Sequence, residues 1–407
     1  MELNPADGVF QPIVQLDLCN CCGVCLEVCP GSQVDFSVLR RHLFPEHAQT
    51  AGLLGNYHQC FLGNSTIYNS ESTPQVASGG VATQLLSLAL ESRMVDGALV
   101  TRMSEKDPLK PEPFIAKTPQ AVLSAAGSKY CPCPTNLGLR EAITREGKYA
   151  VVGLPCHVQA IRKAQLAFPA LKEKIPIVIG LFCAHSTSLK GTLVILRKLR
   201  LIPSQVRKIT YRGQGSPGYL SVETKTGLIR NLPLMASFKA YYPVFDSYFF
   251  VPWRCLFCQD HFNSLADVSL GDAWLPGLSK TAVGNSVIVA RTQSGTQLIK
   301  QCLSAGDLKL RSIDAADVIK SQSGVLSFKS THWKTRMSMA ARMGQQVPSC
   351  EVVSTGKSSF GSFTINICRL HSSSLKKGEL IEALLDAVPF WLYRVYNFGL
   401  SVIAKLP

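Results

Sequence analysis

The stretch KYAVVGLPCHVQAIRKA, residues 148–164, decides how this chain folds. Tyr149 to Val152 is a short apolar run that reads as a buried strand, and it passes through Gly-Leu-Pro-Cys into a helix. KIPIVIGLFCAHSTSLKGT, residues 174–192, repeats the design, with a strand from Ile175 to Leu181 that again ends at a cysteine. Cys156 and Cys183 therefore sit at the carboxyl ends of buried strands, the edge of an open α/β sheet where ligands bind. One cysteine there is as easily a small buried residue; two raise the question of a shared ligand.

Working outward, short apolar runs alternate with helical patterns from residue 64 onward, which predicts an α/β core: a mixed or parallel sheet with crossover helices. In ASGGVATQLLSLALESRMVDGALVT, residues 77–101, Ser78 can cap a helix whose first turn holds Gly79 and Gly80, and a strand follows. A helix start with adjacent glycines offers backbone N–H groups unobstructed by Cβ atoms, which suits a pyrophosphate; it is also a common plain cap and turn. VPWRCLFCQDHFNSLADVSLGDAW, residues 251–274, supplies a C-x2-C knuckle, Cys255 and Cys258, then a strand near Ala266 to Leu270 and a turn at Gly271-Asp272. A knuckle is half of a four-thiolate site, and Cys156 with Cys183 would complete it from two distant segments. Thioredoxin-like use is the alternative, but that motif opens a helix directly after a strand, which these flanks do not resemble.

Fifteen cysteines in 407 residues need a chemical explanation. The N-terminus MELNPADGVFQPIVQLD has no basic segment followed by an apolar one, so no signal peptide is expected, and clustered thiols in a reducing, cytoplasmic setting read as metal ligands or redox groups. CNCCGVCLEVCPG, residues 19–31, has the spacing C-x2-C-x2-C-x3-C-P at Cys19, Cys22, Cys25 and Cys29, the pattern that wraps a [4Fe-4S] cluster in bacterial ferredoxins. In two-cluster ferredoxins the fourth cysteine serves the other cluster, and no second run exists here, so Cys60 in GNYHQC competes with Cys29 as the fourth ligand. Structural zinc is the alternative metal. Cys21 lies between ligand positions and reads as a small buried thiol.

The ordered segments ASGGVATQLL, AAGSKY, VGLPCHVQAI, GLFCAHS, YRGQGSPG, CLFCQDHFNSLADVSLGDAW and GNSVIVART resemble the coenzyme F420 hydrogenase/dehydrogenase beta-subunit family of iron-sulfur flavoproteins, across roughly residues 55–312. The resemblance implies FAD beside one [4Fe-4S] cluster on Cys156, Cys183, Cys255 and Cys258. It implies flavin contacts at Ser78, Gly79, Gly80 and Thr83, at Gly127, Ser128, Lys129 and Tyr130, and at Gly271, Asp272, Asn285 and Ser286. Lys129 suits a cation facing phosphate, against the default of a surface lysine. Cys131 and Cys133 depart from the family pattern and bring extra thiols near the flavin. With the N-terminal cluster this gives two [4Fe-4S] clusters and FAD. The expected partners are an acidic one-electron carrier such as ferredoxin and a small-molecule hydride acceptor, coenzyme F420 or another metabolite. His157 and His185, next to cluster cysteines, are candidate proton donors or hydrogen-bonded structure.

The expected organisation is a ferredoxin-like head at 1–54, a cofactor-binding core at 55–312 and a mainly helical, basic tail at 313–407. The net charge of +15 implies acidic partners, and no nucleic-acid-reading motif is present. A basic nucleic-acid-binding protein with a structural cluster is the reading from another class. Residues 387–405 gather aromatics with Arg394 and Lys405, which suits packing on the core or an interfacial helix peripheral to a membrane. Arg394 interrupts the apolar run that a full span would need.

Overall fold

The computed structural model describes residues 1–44, 52–67, 76–235, 237–278, 283–350, 360–374 and 379–404.

Five small elements come first: a hairpin of β1 (Glu2–Asn4) and β2 (Val9–Gln11), a one-turn helix at Val24–Glu27, β3 (Gln33–Val34) and a helix at Phe36–Leu43. The central sheet then takes β4 (Gln59–Ser65), β5 (Gly97–Met103), β6 (Pro111–Ala116), β7 (Tyr149–Gly153) and β8 (Ile177–Leu181). A separate three-stranded sheet is formed by β9 (Val206–Gly213), β10 (Tyr219–Thr224) and β11 (Ile229–Pro233). The chain returns to the central sheet with β12 (Val268–Asp272), β13 (Ser286–Ala290) and β14 (Leu308–Ile313), and β15 (Ser349–Cys350) pairs with β3. The eight-stranded order is β14-β4-β13-β12-β8-β7-β5-β6. β12, β8, β7 and β5 run parallel, and the strands outside them are antiparallel. This is the mixed α/β sheet expected from the alternation of runs.

Period-two alternation sends side chains to both faces of the sheet, and both faces are covered. Ala98, Val100, Ala150, Ile177 and Ile179 pack under the Val81–Glu91 helix with Leu85, Leu86 and Ala89. Leu99, Val151 and Val178 face the opposite way, onto Val158 and Ile161 of the Pro155–Ala167 helix. Val34, Phe36 and Leu39 join that second cluster, so the segment after the N-terminal cysteines is part of the packed core. Arg162 of the same helix meets Asp267 at 2.9 Å, each side chain 6% exposed, and Asp267 also accepts from Val178 N–H at 2.7 Å and Thr292 Oγ1 at 2.8 Å. This buried network fixes β12 against β8 and the crossover helix.

The tail is mainly helical, with helices at Ser323–Lys329, Trp333–Arg342, Phe360–Ser374, Glu379–Ala387 and Phe390–Ile403. Phe328, Trp333, Met337, Ile365 and Leu400 pack against Val251, Leu256 and Phe257 of the C-x2-C segment. Fully buried Arg336 donates to the carbonyls of Leu256 (2.7 Å) and Phe328 (2.8 Å) and to Asn366 Oδ1 (3.0 Å), and Trp333 Nε1 donates to Phe257 O at 3.0 Å. Free carbonyls of an irregular turn are thus satisfied by tail side chains. The Phe390–Ile403 helix buries Tyr393 and Leu400 and leaves Trp391, Val395 and Phe398 exposed. Among the described residues no helix is long and apolar enough to cross a membrane.

Candidate functional site

The carboxyl ends of β5, β7, β8 and β12 lie along one edge of the sheet because these strands are parallel. Cys156 follows β7 in the first turn of the Pro155–Ala167 helix, and Cys183 follows β8 by two residues. The Trp253–Phe257 turn carries Cys255, with Cys258 directly after it. Ser186 N–H donates to Cys255 Sγ at 3.5 Å, and Cys183 N–H to His261 O at 3.0 Å, which ties the β8 loop to the knuckle. The four thiols lie within electrostatic reach of one another. Burial, and then the neighbouring thiols, push Cys156 up to about 12, and burial also raises Cys183 and Cys255. Cys156 itself is exposed at the surface of this edge. Among the described residues, no three His, Cys, Asp or Glu side chains have the spacing of a single-ion site.

A cavity of about 1130 Å³ opens beside these thiols. It is lined by Cys183 and, among the residues expected from sequence, by Ser78, Gly80, Thr83, Gly127, Ser128, Lys129, Tyr130, Gly271, Asp272 and Ser286. Gly79 and Asn285 stand just behind: Gly79 N–H donates to Ser286 Oγ at 3.2 Å and Ser78 Oγ to Asn285 O at 3.0 Å. A Cβ on Gly79 would sit 2.8 Å from both Gly63 O and Ser286 Oγ, so the glycine permits this close approach. The cap differs from the one expected. Gly80, at φ +71°, is the N-cap of the Val81–Glu91 helix, and Ser78 is occupied across the sheet instead. Gly271 and Asp272 form no turn; they are the last pairs of β12 with β13, and Gly271 lies so flat on the Phe182 ring that a Cβ would fall 2.0 Å from it.

Lys129 is half-buried in the cavity wall rather than on the open surface. Its ammonium also folds back onto the carbonyls of Ala125, Ala126 (3.4 Å) and Gly127 (2.9 Å), just past the Pro119–Ser124 helix, and desolvation lowers it to about 8. Its location at a helix end explains this: the unpaired carbonyls there attract a cation. Tyr130 packs edge-on against Tyr211 and Tyr242, which sets its ring into the wall. Asp272 is held by Arg212 Nη1 at 2.6 Å. Cys133 lines the cavity and Cys131 lies buried behind it; the hydrogen bond from Cys131, with Lys129 nearby, lowers the Cys133 thiol. His157 Nδ1 accepts Leu154 N–H at 3.2 Å and burial lowers the ring to about 4, a capping role at the helix start. His185 Nε2 lies 3.3 Å from Asp246 Oδ1 in the cavity wall.

The head cysteines present a different picture. Cys19, Cys21, Cys22 and Cys25 are exposed and Cys29 is half-buried, so Cys21 is not the buried thiol expected. Cys21 sits at φ +55° in a loop too small to enclose a side chain. Lys163 Nζ donates to the carbonyls of Cys29 (2.9 Å) and Gln33 (2.6 Å), and Arg254 donates to Pro30 O. The last head cysteine is therefore clamped between the helix that carries Cys156 and the turn that carries Cys255. Cys60 lies elsewhere: it is 2% exposed in β4, packed with Leu54, Leu62 and Phe262, and burial pushes it to about 11.

Sequence reasoning missed Arg212, His261, Lys329 and Arg369. Arg212 falls in the YRGQG segment, which gave it no role by itself. Lys329 is 4% exposed within electrostatic reach of Cys183, Cys255 and Cys258, yet it comes from a tail without a motif.

Residues 66–140 match the sequence model for the N-terminal part of the coenzyme F420 hydrogenase/dehydrogenase beta subunit, and residues 146–316 that for its C terminus. The chain is 30% identical to the coenzyme F420 hydrogenase subunit beta of Methanothermobacter thermautotrophicus, over 73% of this chain and 99% of that protein. It is 25% identical to the coenzyme F420-dependent sulfite reductase of Methanocaldococcus jannaschii, over 68% of this chain and 40% of that one. A chain of the F420-reducing [NiFe] hydrogenase complex from Methanosarcina barkeri superposes with a TM-score of 0.56 at 26% identity, covering 74% of this chain and 98% of that chain. With the sheet, the edge site and both family segments in order, the chain belongs to the coenzyme F420 hydrogenase/dehydrogenase beta-subunit family of oxidoreductase subunits.

Proposed function

We propose that the chain is an iron-sulfur flavoprotein oxidoreductase that passes electrons between a one-electron carrier and a hydride acceptor, coenzyme F420 or a small organic metabolite. The observation that carries this reading is one continuous cavity with Cys183 in its wall and the glycine-rich helix start at its other side. Cys156, Cys183, Cys255 and Cys258 would hold one [4Fe-4S] cluster, and Cys19, Cys22, Cys25 and Cys29 a second. Ser78, Gly80, Thr83, Ser128, Tyr130 and Ser286 would hold FAD. When bound, such cofactors couple one-electron transfer to hydride transfer, chemistry that no side chain supplies.

The chain's own residues place and shield these groups. The first turn of the Val81–Glu91 helix aims backbone N–H groups at the cavity, where an anionic diphosphate is favoured. Lys329 sets a buried positive charge among thiols that must ionise to bind metal. Lys163 and Arg254 tie the Cys29-Pro30 turn to the helix that carries Cys156 and the turn that carries Cys255, which supports an electron path from head to core. The charge of +15 favours an acidic redox partner, a ferredoxin or a sister subunit. The exposed aromatic face of Phe390–Ile403 keeps peripheral membrane contact as part of the proposal.

Anaerobic purification with iron, acid-labile sulfide and flavin measured on one sample tests the reading. About eight iron atoms and one FAD per chain are expected. About four iron atoms would remove the head cluster, and no flavin after reconstitution would overturn the proposed function.

A further inference from the structure

Cys131 and Cys133, in the run Tyr130-Cys131-Pro132-Cys133-Pro134, are nucleophilic side chains to which the proposed electron path gives no role. Cys133 is half-buried and lines the cavity together with Lys129, Tyr130 and Thr135. Cys131 is 2% exposed and stands behind it, in the cluster that holds Tyr211 and Phe245. The two thiols are within hydrogen-bonding distance of each other, and Cys131 also meets the Tyr211 hydroxyl, which pairs with Thr192 Oγ1 at 2.8 Å. At about 1130 Å³ the cavity exceeds the roughly 300–1,000 Å³ usual for one ligand, so a second small molecule fits beside a cofactor.

The backbone favours closure between the two sulfurs. Cα atoms two residues apart are separated by no more than about 7 Å, close to the roughly 4.4–6.8 Å that a disulfide spans, and here the side chains already meet. Pro132 fixes one of the intervening dihedrals, and the chain bends at Cys131. In the dithiol, Cys133 Sγ donates to Cys131 O at 3.4 Å, which keeps the outer thiol folded over the inner one. The environments are unequal. The hydrogen bond from Cys131, with the Lys129 ammonium nearby, lowers the Cys133 thiol, whereas that same bond and burial raise Cys131. The accessible thiol is the easier to ionise and the shielded one holds its proton, the division of labour between an attacking and a resolving thiol.

We infer that Cys131-Pro132-Cys133 is a dithiol/disulfide centre that reduces a small organic disulfide admitted to the cavity. The Cys133 thiolate attacks one sulfur of the substrate R–S–S–R; a Cys133–SR bond forms, the substrate S–S bond breaks, and the other half leaves as a thiolate that takes up a proton. Cys131 then loses its proton and attacks the Cys133 sulfur, forming the Cys131–Cys133 bond and releasing the second half as a thiol. Two electrons and two protons pass from the protein pair, which is oxidised, to the substrate, which becomes two thiols. A reduced flavin in the same cavity would return the two electrons. Only that return rests on the oxidoreductase reading; the half-reaction is measured without it.

Residues 130–140 follow Lys129, end at Arg140 and hold no other cysteine, so trypsin isolates the pair in one peptide. Full-length protein, purified anaerobically and reduced, is mixed with bis(2-hydroxyethyl) disulfide, quenched with N-ethylmaleimide at timed intervals, digested and weighed. The peptide should lose its alkylation sites and become lighter by two hydrogens, about 2 Da, at least tenfold faster than half-buried Cys368 of the tail acquires the probe. In Cys131→Ser the peptide should retain half of the probe as a mixed disulfide on Cys133, and Cys133→Ser should slow modification of the peptide at least about tenfold. Continued alkylation of both cysteines in the wild-type peptide, or oxidation no faster than at Cys368, overturns the assignment, and so does equal modification of the two variants. The wild-type measurement decides even where a variant fails to fold. Missing flavin in the same sample would count against the cofactor proposal alone.

Discussion

Two sets of cysteines do different structural work in this molecule. In the head, four cysteines at fixed spacing lie in one short segment, Cys19, Cys22 and Cys25 exposed and Cys29 half-buried, held to the protein by its last turn. In the core, four cysteines from three distant segments meet at the carboxyl edge of a parallel sheet, under tail helices, where burial suppresses the ionisation of Cys156, Cys183 and Cys255. The head's arrangement is a property of a short peptide. The core's arrangement is a property of the fold, so damage to it should spread through the fold.

The largest expected effect comes from setting the two against each other. Cys183→Ser should remove about four of eight iron atoms, and soluble yield should fall with them because the thiol is set among packed loops. Cys22→Ser should also remove about four, while the unfolding free energy changes by no more than about 0.5 kcal/mol, as for other exposed sites. Equal stability losses in the two variants would break the distinction. Next, Asp267→Asn leaves Arg162 buried without its counter-charge and should cost about 3–5 kcal/mol in urea unfolding.

A smaller effect should appear with acid. Burial holds His157, His261 and His332 at about 4 in the folded chain, and for His332 the charges of Arg369 and Arg336 add to it, against 6.5 for a free imidazole. The unfolded chain binds more protons between these values. Stability is therefore complete above pH 6.5 and declines as pH falls toward 4, which urea midpoints across that window would show. All three histidines lie in core or tail. The smallest effect sharpens the link between the regions: Arg254→Ala should raise amide exchange at residues 19–31 several-fold with little change in global stability. Unchanged exchange would mean that Lys163 alone anchors the head.

Legibility in the sequence followed the same division. The strand–turn–helix unit around Cys156 and the alternation of apolar runs were readable because side-chain periodicity is local. Lys129 misled because its sequence context shows a cation near glycines but hides the helix-end carbonyls that consume it. Gly271-Asp272 read as a turn because glycine and aspartate usually punctuate; in the sheet the missing Cβ instead lets β12 pass the ring of Phe182. The tail gave no motif, although Arg336, Trp333 and Lys329 close over the knuckle and Arg369 and Asn397 wall the cavity.

By itself the sequence determined the α/β class, the head's cysteine spacing and the strand ends that carry Cys156 and Cys183, since each depends on residues a few positions apart. Tertiary structure alone decided that the knuckle meets those strand ends, that Cys29 faces the core through Lys163 and Arg254, and that Cys60 is buried in β4. It alone also brought a buried guanidinium from the tail to the cavity. The reason is physical: strand order and helix packing set which distant side chains share one enclosed volume, and no local pattern encodes that sharing.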